Sequence, residues 1–250
     1  MKETKTQFPM PLQIAMTVIN AALYAAVGIM TFFGIFAPPP IGVVRFWPVV
    51  IIPAVFATLF GPWVGGIGAA IGIIWSDMFI HGNLLLSVTV GVPANFLGFY
   101  LVGYVARKEI SLRRLIPVLA IGALIIVGGV YSTMAYLPET FEFTGLSTTD
   151  SILLFLTAVG GSYALMIIIA SLWPEWKSYG VASVIGLGVG SAIIGLGLVA
   201  YFNTPFYFSL LWFIWTFATE IPFLLLLGPP ILKACYRAFP WIEPPRKRSR

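Results

Sequence analysis

The strongest constraint on this chain is a succession of apolar runs, each close to the length of a membrane span and separated by short polar loops. About 20 apolar residues at 1.5 Å rise cross a hydrocarbon core of roughly 30 Å. About eight stretches meet or approach that length: residues 12–36, 44–60, 63–80, 84–106, 114–137, 150–172, 180–202 and 206–235. Charged residues make up only 9% of the chain, whereas a soluble domain carries about 25%. Lipid is therefore the solvent for most of the sequence. The expected fold is all-α, a polytopic transmembrane helical bundle that forms a single integral membrane domain over residues 1–250. Phe60-Gly61-Pro62-Trp63 predicts a tight turn between the second and third runs, which are short enough to form a shallow hairpin. The first run exceeds the apolar region of a signal peptide and lacks an A-x-A cleavage site, which predicts a retained span.

Charge placement predicts the orientation. With the N-terminus in the cytoplasm and all eight runs crossing, every lysine and arginine except Arg45 falls on the cytoplasmic side, as the positive-inside rule requires. Both termini are then cytoplasmic, the location is the cell membrane with multiple passes, and residues 240–250 form a basic tail suited to anionic headgroups. The basic residues are not interleaved with aromatics in a polar stretch, so nucleic acid is not an expected partner.

Missing motifs narrow the chemistry. No G-x-x-x-x-G-K-[ST] phosphate loop is present, so any ATP must be hydrolysed on another chain. One histidine, His81, and one cysteine, Cys235, exclude a His/Cys metal cluster and an intrachain disulfide. Neither G-x-S-x-G nor H-E-x-x-H occurs. The reading is of a protein that is not an enzyme and takes no cofactor or metal. The glycine-rich spacings at Gly61, Gly65, Gly68 and Gly72, and at Gly186, Gly190, Gly195 and Gly197, fit close helix packing within the molecule better than a docking face.

Ionisable groups inside the runs are informative, because a mid-bilayer charge costs about 2.5–3.5 kcal/mol on the insertion scale. Asp77 and Glu220 stand out. Asp77, followed by His81 and Asn83, is either a ligand-facing polar cluster or a wetted helix end. Glu220, in Thr219-Glu220-Ile221-Pro222, is either a buried, protonated packing partner or an intramembrane proton or substrate contact. Asn95, beside Pro93, is either an interhelical hydrogen bond or a ligand contact. Among the aromatics, most belong to interface belts. Phe46, Trp47, Trp75, Phe79 and Phe141 are candidates to wall a pocket for a flat ring.

The order Ile41-Gly42-Val43-Val44-Arg45-Phe46-Trp47-Pro48, then Leu59-Phe60-Gly61-Pro62-Trp63-Val64-Gly65-Gly66, then Gly68, Gly72 and Ser76-Asp77, resembles the second and third helices of the substrate-binding S components of energy-coupling factor (ECF) transporters. Ala21-Ala22-Leu23-Tyr24-Ala25-Ala26 is similar to the A-x-x-x-A pattern of that family's first helix. The resemblance covers residues 12–106, as S-component-like helices 1–4. Residues 107–235 are further transmembrane helices read from hydropathy alone. S components typically have six helices, against the eight runs here.

The resemblance implies a membrane subunit that captures a vitamin or related micronutrient on the outer face. Its partners would be a transmembrane coupling subunit and two cytoplasmic ATPase subunits. Ala21, Ala22, Ala25 and Ala26 would face the coupling subunit. The substrate-binding candidates are Arg45, Trp47, Trp75, Asp77, His81, Asn83 and Asn95. An outer face carrying Asp77, Glu139 and Glu142 against one arginine leans toward a neutral or cationic ring compound. The alternative is a secondary transporter of a small organic molecule that couples to protons or ions at Glu220 or Asp77.

Overall fold

Pro9 and Pro11 at the start of the first helix, and Pro62 directly after Gly61, mark where the chain enters its helices. Proline is tolerated there because its missing N–H has no partner in a helix's first turn. The computed structural model describes residues 8–32, 47–111, 148–206 and 208–242, with isolated positions between 113 and 131. Arg45, Phe46, Phe141, Glu139, Glu142, most of the 114–137 run and the basic tail after residue 242 lie outside the described residues.

The described residues are helical, without a strand. Helix α1 is Met10–Met30. A 3₁₀ turn at Pro48–Val50 leads into α2, Ile51–Phe60. Then follow α3, Pro62–His81, α4, Leu84–Ala106, α5, Thr148–Leu172, α6, Lys177–Phe202, and α7, Phe208–Ala238. Among the described residues five helices, α1, α3, α4, α6 and α7, are long and apolar enough to cross a membrane. The chain is an α-helical, multi-pass membrane protein on that ground. The ten residues of α2 reach only about 15 Å, half a hydrocarbon core. It is a short buried helix inside the bundle, with Ala54 and Ala57 fully covered.

Contacts gather the helix termini into two ends. At one end Phe8 packs on Phe60 (5.7 Å) and Trp241 (5.9 Å). Arg107 donates to the Leu59 carbonyl oxygen (3.4 Å) and Ser178 to that of Lys108 (2.7 Å), while Trp176 stacks on Tyr236. Arg107, Lys108, Lys177 and Arg237 thus share this basic end. At the other end Asn83 donates to the Tyr201 hydroxyl (2.8 Å) and ties the α3–α4 turn to the end of α6.

Small residues set the helix spacing. A Cβ on Gly186 would stand 2.5 Å from the Gly98 carbonyl oxygen, so α6 and α4 cross with their backbones in contact. Gly65 meets Ala57, Gly72 meets Tyr24, and Gly195 meets the Ser209 backbone. These glycines are used inside the molecule. Helices α1, α2, α3, α4, α6 and α7 form the packed bundle, and α4 lies directly against α6 although the intervening segment contains α5. Helix α5 packs more lightly on α6 and α7, and its Leu153, Leu156, Ile167, Ile168 and Leu172 are exposed.

Candidate functional site

Tyr24 is where the site begins. It stands near the middle of α1, 1% exposed, on a stripe of polar or small residues that also holds Asn20 and Gly28. Asn20 is fully buried and donates to the Val64 carbonyl oxygen (3.0 Å), which fixes α1 against α3. Tyr24 can then reach across the bundle. Its hydroxyl accepts from Trp47 Nε1 (2.9 Å) and donates to Asn95 Oδ1 (2.7 Å). Asn95 Nδ2 in turn donates to the Gly91 carbonyl oxygen (2.9 Å). This directed chain joins α1, the start of α2 and α4. The rings add edge-on contacts, Tyr24 with Trp47 and with Phe99, each at 6.2 Å between centroids.

Gly91 closes a π turn, Ser87–Gly91, set within α4. Pro93 explains it: the ring removes the donor that would bond to Thr89 and crowds that carbonyl. The helix widens instead, and Val92 N–H bonds back five residues to the Ser87 carbonyl oxygen. Such wide turns recur at functional sites. Here the widened backbone brings Gly91 against α3, where a Cβ would sit 2.9 Å from Asp77 Oδ2.

A cavity of about 130 Å³ opens beside this network, lined by Tyr24, Trp47, Phe99 and Asn95, by Asp77 and His81, and by Ser191, Thr216 and Glu220. Its floor is the α4–α6 crossing at Gly98, Gly186 and Gly190. It lies toward the end that holds Trp47, His81 and Leu86 and reaches inward to Glu220. Asp77 is inside α3, which continues to His81 before Gly82 terminates it in a left-handed conformation (φ 62°). Asp77 and His81 are one turn apart and so share a helix face. Glu220 is 7% exposed, and its carboxyl group makes no hydrogen bond to a described residue. Ser191 Oγ is likewise buried with no partner among the described residues.

The sequence candidates separate cleanly. Trp47, Asp77, His81, Asn95 and Glu220 line the same cavity. Trp75 does not: two residues before Asp77 it stands about 200° around the helix and is 67% exposed. Phe79 is exposed as well, in keeping with an interface belt. Asn83 is a helix cap, accepting from Leu86 N–H (3.0 Å) and bonded to Tyr201, and it is not part of the lining. The alanines of α1 divide: Ala21 and Ala25 are buried in the bundle, Ala22 and Ala26 are exposed. Residues that sequence reasoning missed are Tyr24, Phe99, Ser191 and Thr216.

No family model matches the chain, and neither a curated protein nor a solved structure does. The cavity must be read from its own chemistry. A volume near that of the roughly 150 Å³ cavity that accepts benzene suits a ligand of one ring. Aromatic walls with a few fixed polar groups are the usual make-up of a small-molecule site. Among the described lining residues there is no lysine or arginine, while two carboxyl groups are present.

Proposed function

We propose that the chain is the substrate-binding membrane subunit of an ECF-type importer, capturing a vitamin-like micronutrient for uptake driven by partner ATPases. The observation that carries this reading is the cavity enclosed by α1, α3, α4, α6 and α7 and by Trp47 ahead of α2, walled by Trp47, Tyr24 and Phe99 and provided with a few polar groups. Among the described residues six helices pack closely, the helix number that the resemblance implies, although only five of them are long enough to span a membrane, and α5 packs more lightly on α6 and α7. Because the basic end is placed in the cytoplasm by the positive-inside rule, the cavity opens toward the outside, where an importer must capture its ligand. Ala22 and Ala26 are exposed on α1 and remain the docking candidates for a transmembrane coupling subunit. Ala21 and Ala25 would contact a partner only after α1 separates from the bundle.

The test is mild-detergent purification of the tagged chain from its native membrane, followed by mass spectrometry of proteins and small molecules. Two ATPase subunits and a coupling subunit at stoichiometric levels, with a bound vitamin-like compound, support the importer subunit. Their absence, together with uptake by the purified chain alone in liposomes under an ion gradient, selects the secondary transporter. The buried Glu220 carboxyl group, with no hydrogen bond to a described residue, is the observation that favours that second reading, since intramembrane carboxyl groups serve proton relays.

A further inference from the structure

We propose that the cavity binds an organic cation built on a single ring, with a charged nitrogen of the ligand donating to the Glu220 carboxylate. This rests on the reading of the cavity as a substrate site and adds the chemical class. Three observations converge on it. Glu220 is more than nine-tenths buried, lines the cavity and makes no hydrogen bond to a described residue. A buried carboxylate without a partner is strongly unfavourable, and a cationic ligand supplies both the opposite charge and the missing donors. The second observation is the sign of the lining: Asp77 and Glu220 stand in it with His81, and no lysine or arginine is among its described residues.

The third is geometric. Trp47, Tyr24 and Phe99 offer ring surfaces around a space of about 130 Å³, which fits one aromatic ring. Aromatic faces also attract a cation directly. Tyr24 and Asn95 are already engaged with Trp47 and the Gly91 carbonyl, so they hold the walls in place. Ser191 Oγ, buried without a partner among the described residues, is free to bond a polar substituent on the ring.

The test uses the purified full chain in detergent and three single-ring probes of similar size, benzamidine, benzyl alcohol and benzoate, titrated by calorimetry with thermal unfolding as a second readout. Benzamidine is expected to bind saturably, at least about tenfold more tightly than the neutral and anionic probes. Glu220→Gln is expected to weaken benzamidine binding by at least about tenfold, because one partner of a buried charge pair is lost. Glu220→Asp keeps the charge and retains measurable benzamidine binding, which separates the ligand effect from misfolding. Benzoate or benzyl alcohol binding as tightly as benzamidine, no saturable benzamidine binding, or an unchanged affinity in Glu220→Gln overturns the proposal. None of those results touches the importer reading, which stands or falls on the copurifying ATPases.

Discussion

Tyr24 carries more of this structure than any residue type would announce. Its hydroxyl is acceptor to Trp47 and donor to Asn95, so Tyr24→Phe leaves an indole N–H and an amide oxygen without partners. Orphaning buried polar groups costs about 1–3 kcal/mol each. The variant is expected to unfold at lower temperature in detergent, by about that free energy, as measured by circular dichroism. At the cavity itself, Asp77→Asn is expected to weaken ligand binding at least severalfold while the protein stays folded in detergent. Trp75→Ala, on the opposite face of α3, is expected to leave affinity unaltered in the same titration. Asp77 and Glu220 were visible in the sequence because charges are scarce in apolar runs. Tyr24 was not singled out, although a signal existed: Gln13, Thr17, Asn20, Tyr24, Gly28 and Thr31 recur at three- and four-residue spacing, a polar and small stripe on one helix face.

Helix ends were legible because prolines and glycines punctuate them. Gly61-Pro62 separates α2 from α3, and Gly82 stops α3. What the punctuation does inside a helix was not legible. Pro93 could have kinked α4 sharply; the helix accommodates it with a π turn instead. Pro93→Ala restores the missing donor and lets the turn rewind, which moves Gly91 away from Asp77. We expect this variant to be at least as stable as the parent by thermal unfolding but to bind ligand more weakly, and equal affinity would show that the wide turn is incidental. The α4–α6 crossing offers a second check. Gly186→Ala drives a methyl group into the Gly98 carbonyl, and overpacking of this kind costs about 1–3 kcal/mol. A loss of that size in a denaturant titration is expected.

For the whole molecule, orientation is the decisive quantity. The basic residues Arg107, Lys108, Lys177 and Arg237 share one end, and the cavity lies toward the other. In a Cys235→Ser background, Phe206→Cys is expected to react with a membrane-impermeant maleimide in intact cells, whereas Glu109→Cys reacts only after lysis. Both positions are exposed. The opposite pattern would turn the cavity to the cytoplasm and remove the import reading. Taken by itself, the sequence determined that this chain lives in lipid as helices, roughly where those helices run, and which rare charges deserve notice. Composition, hydropathy and punctuation are local properties, so they survive without coordinates. The tertiary structure alone decided that α4 packs on α6 across an intervening segment, that α5 touches α6 and α7 only lightly, and that Trp47, Asp77, Asn95 and Glu220 face one space while Trp75 faces outward. Those facts depend on how helices are rotated and which backbones approach, and in an almost uniformly apolar chain hydropathy scarcely distinguishes one helix face from another.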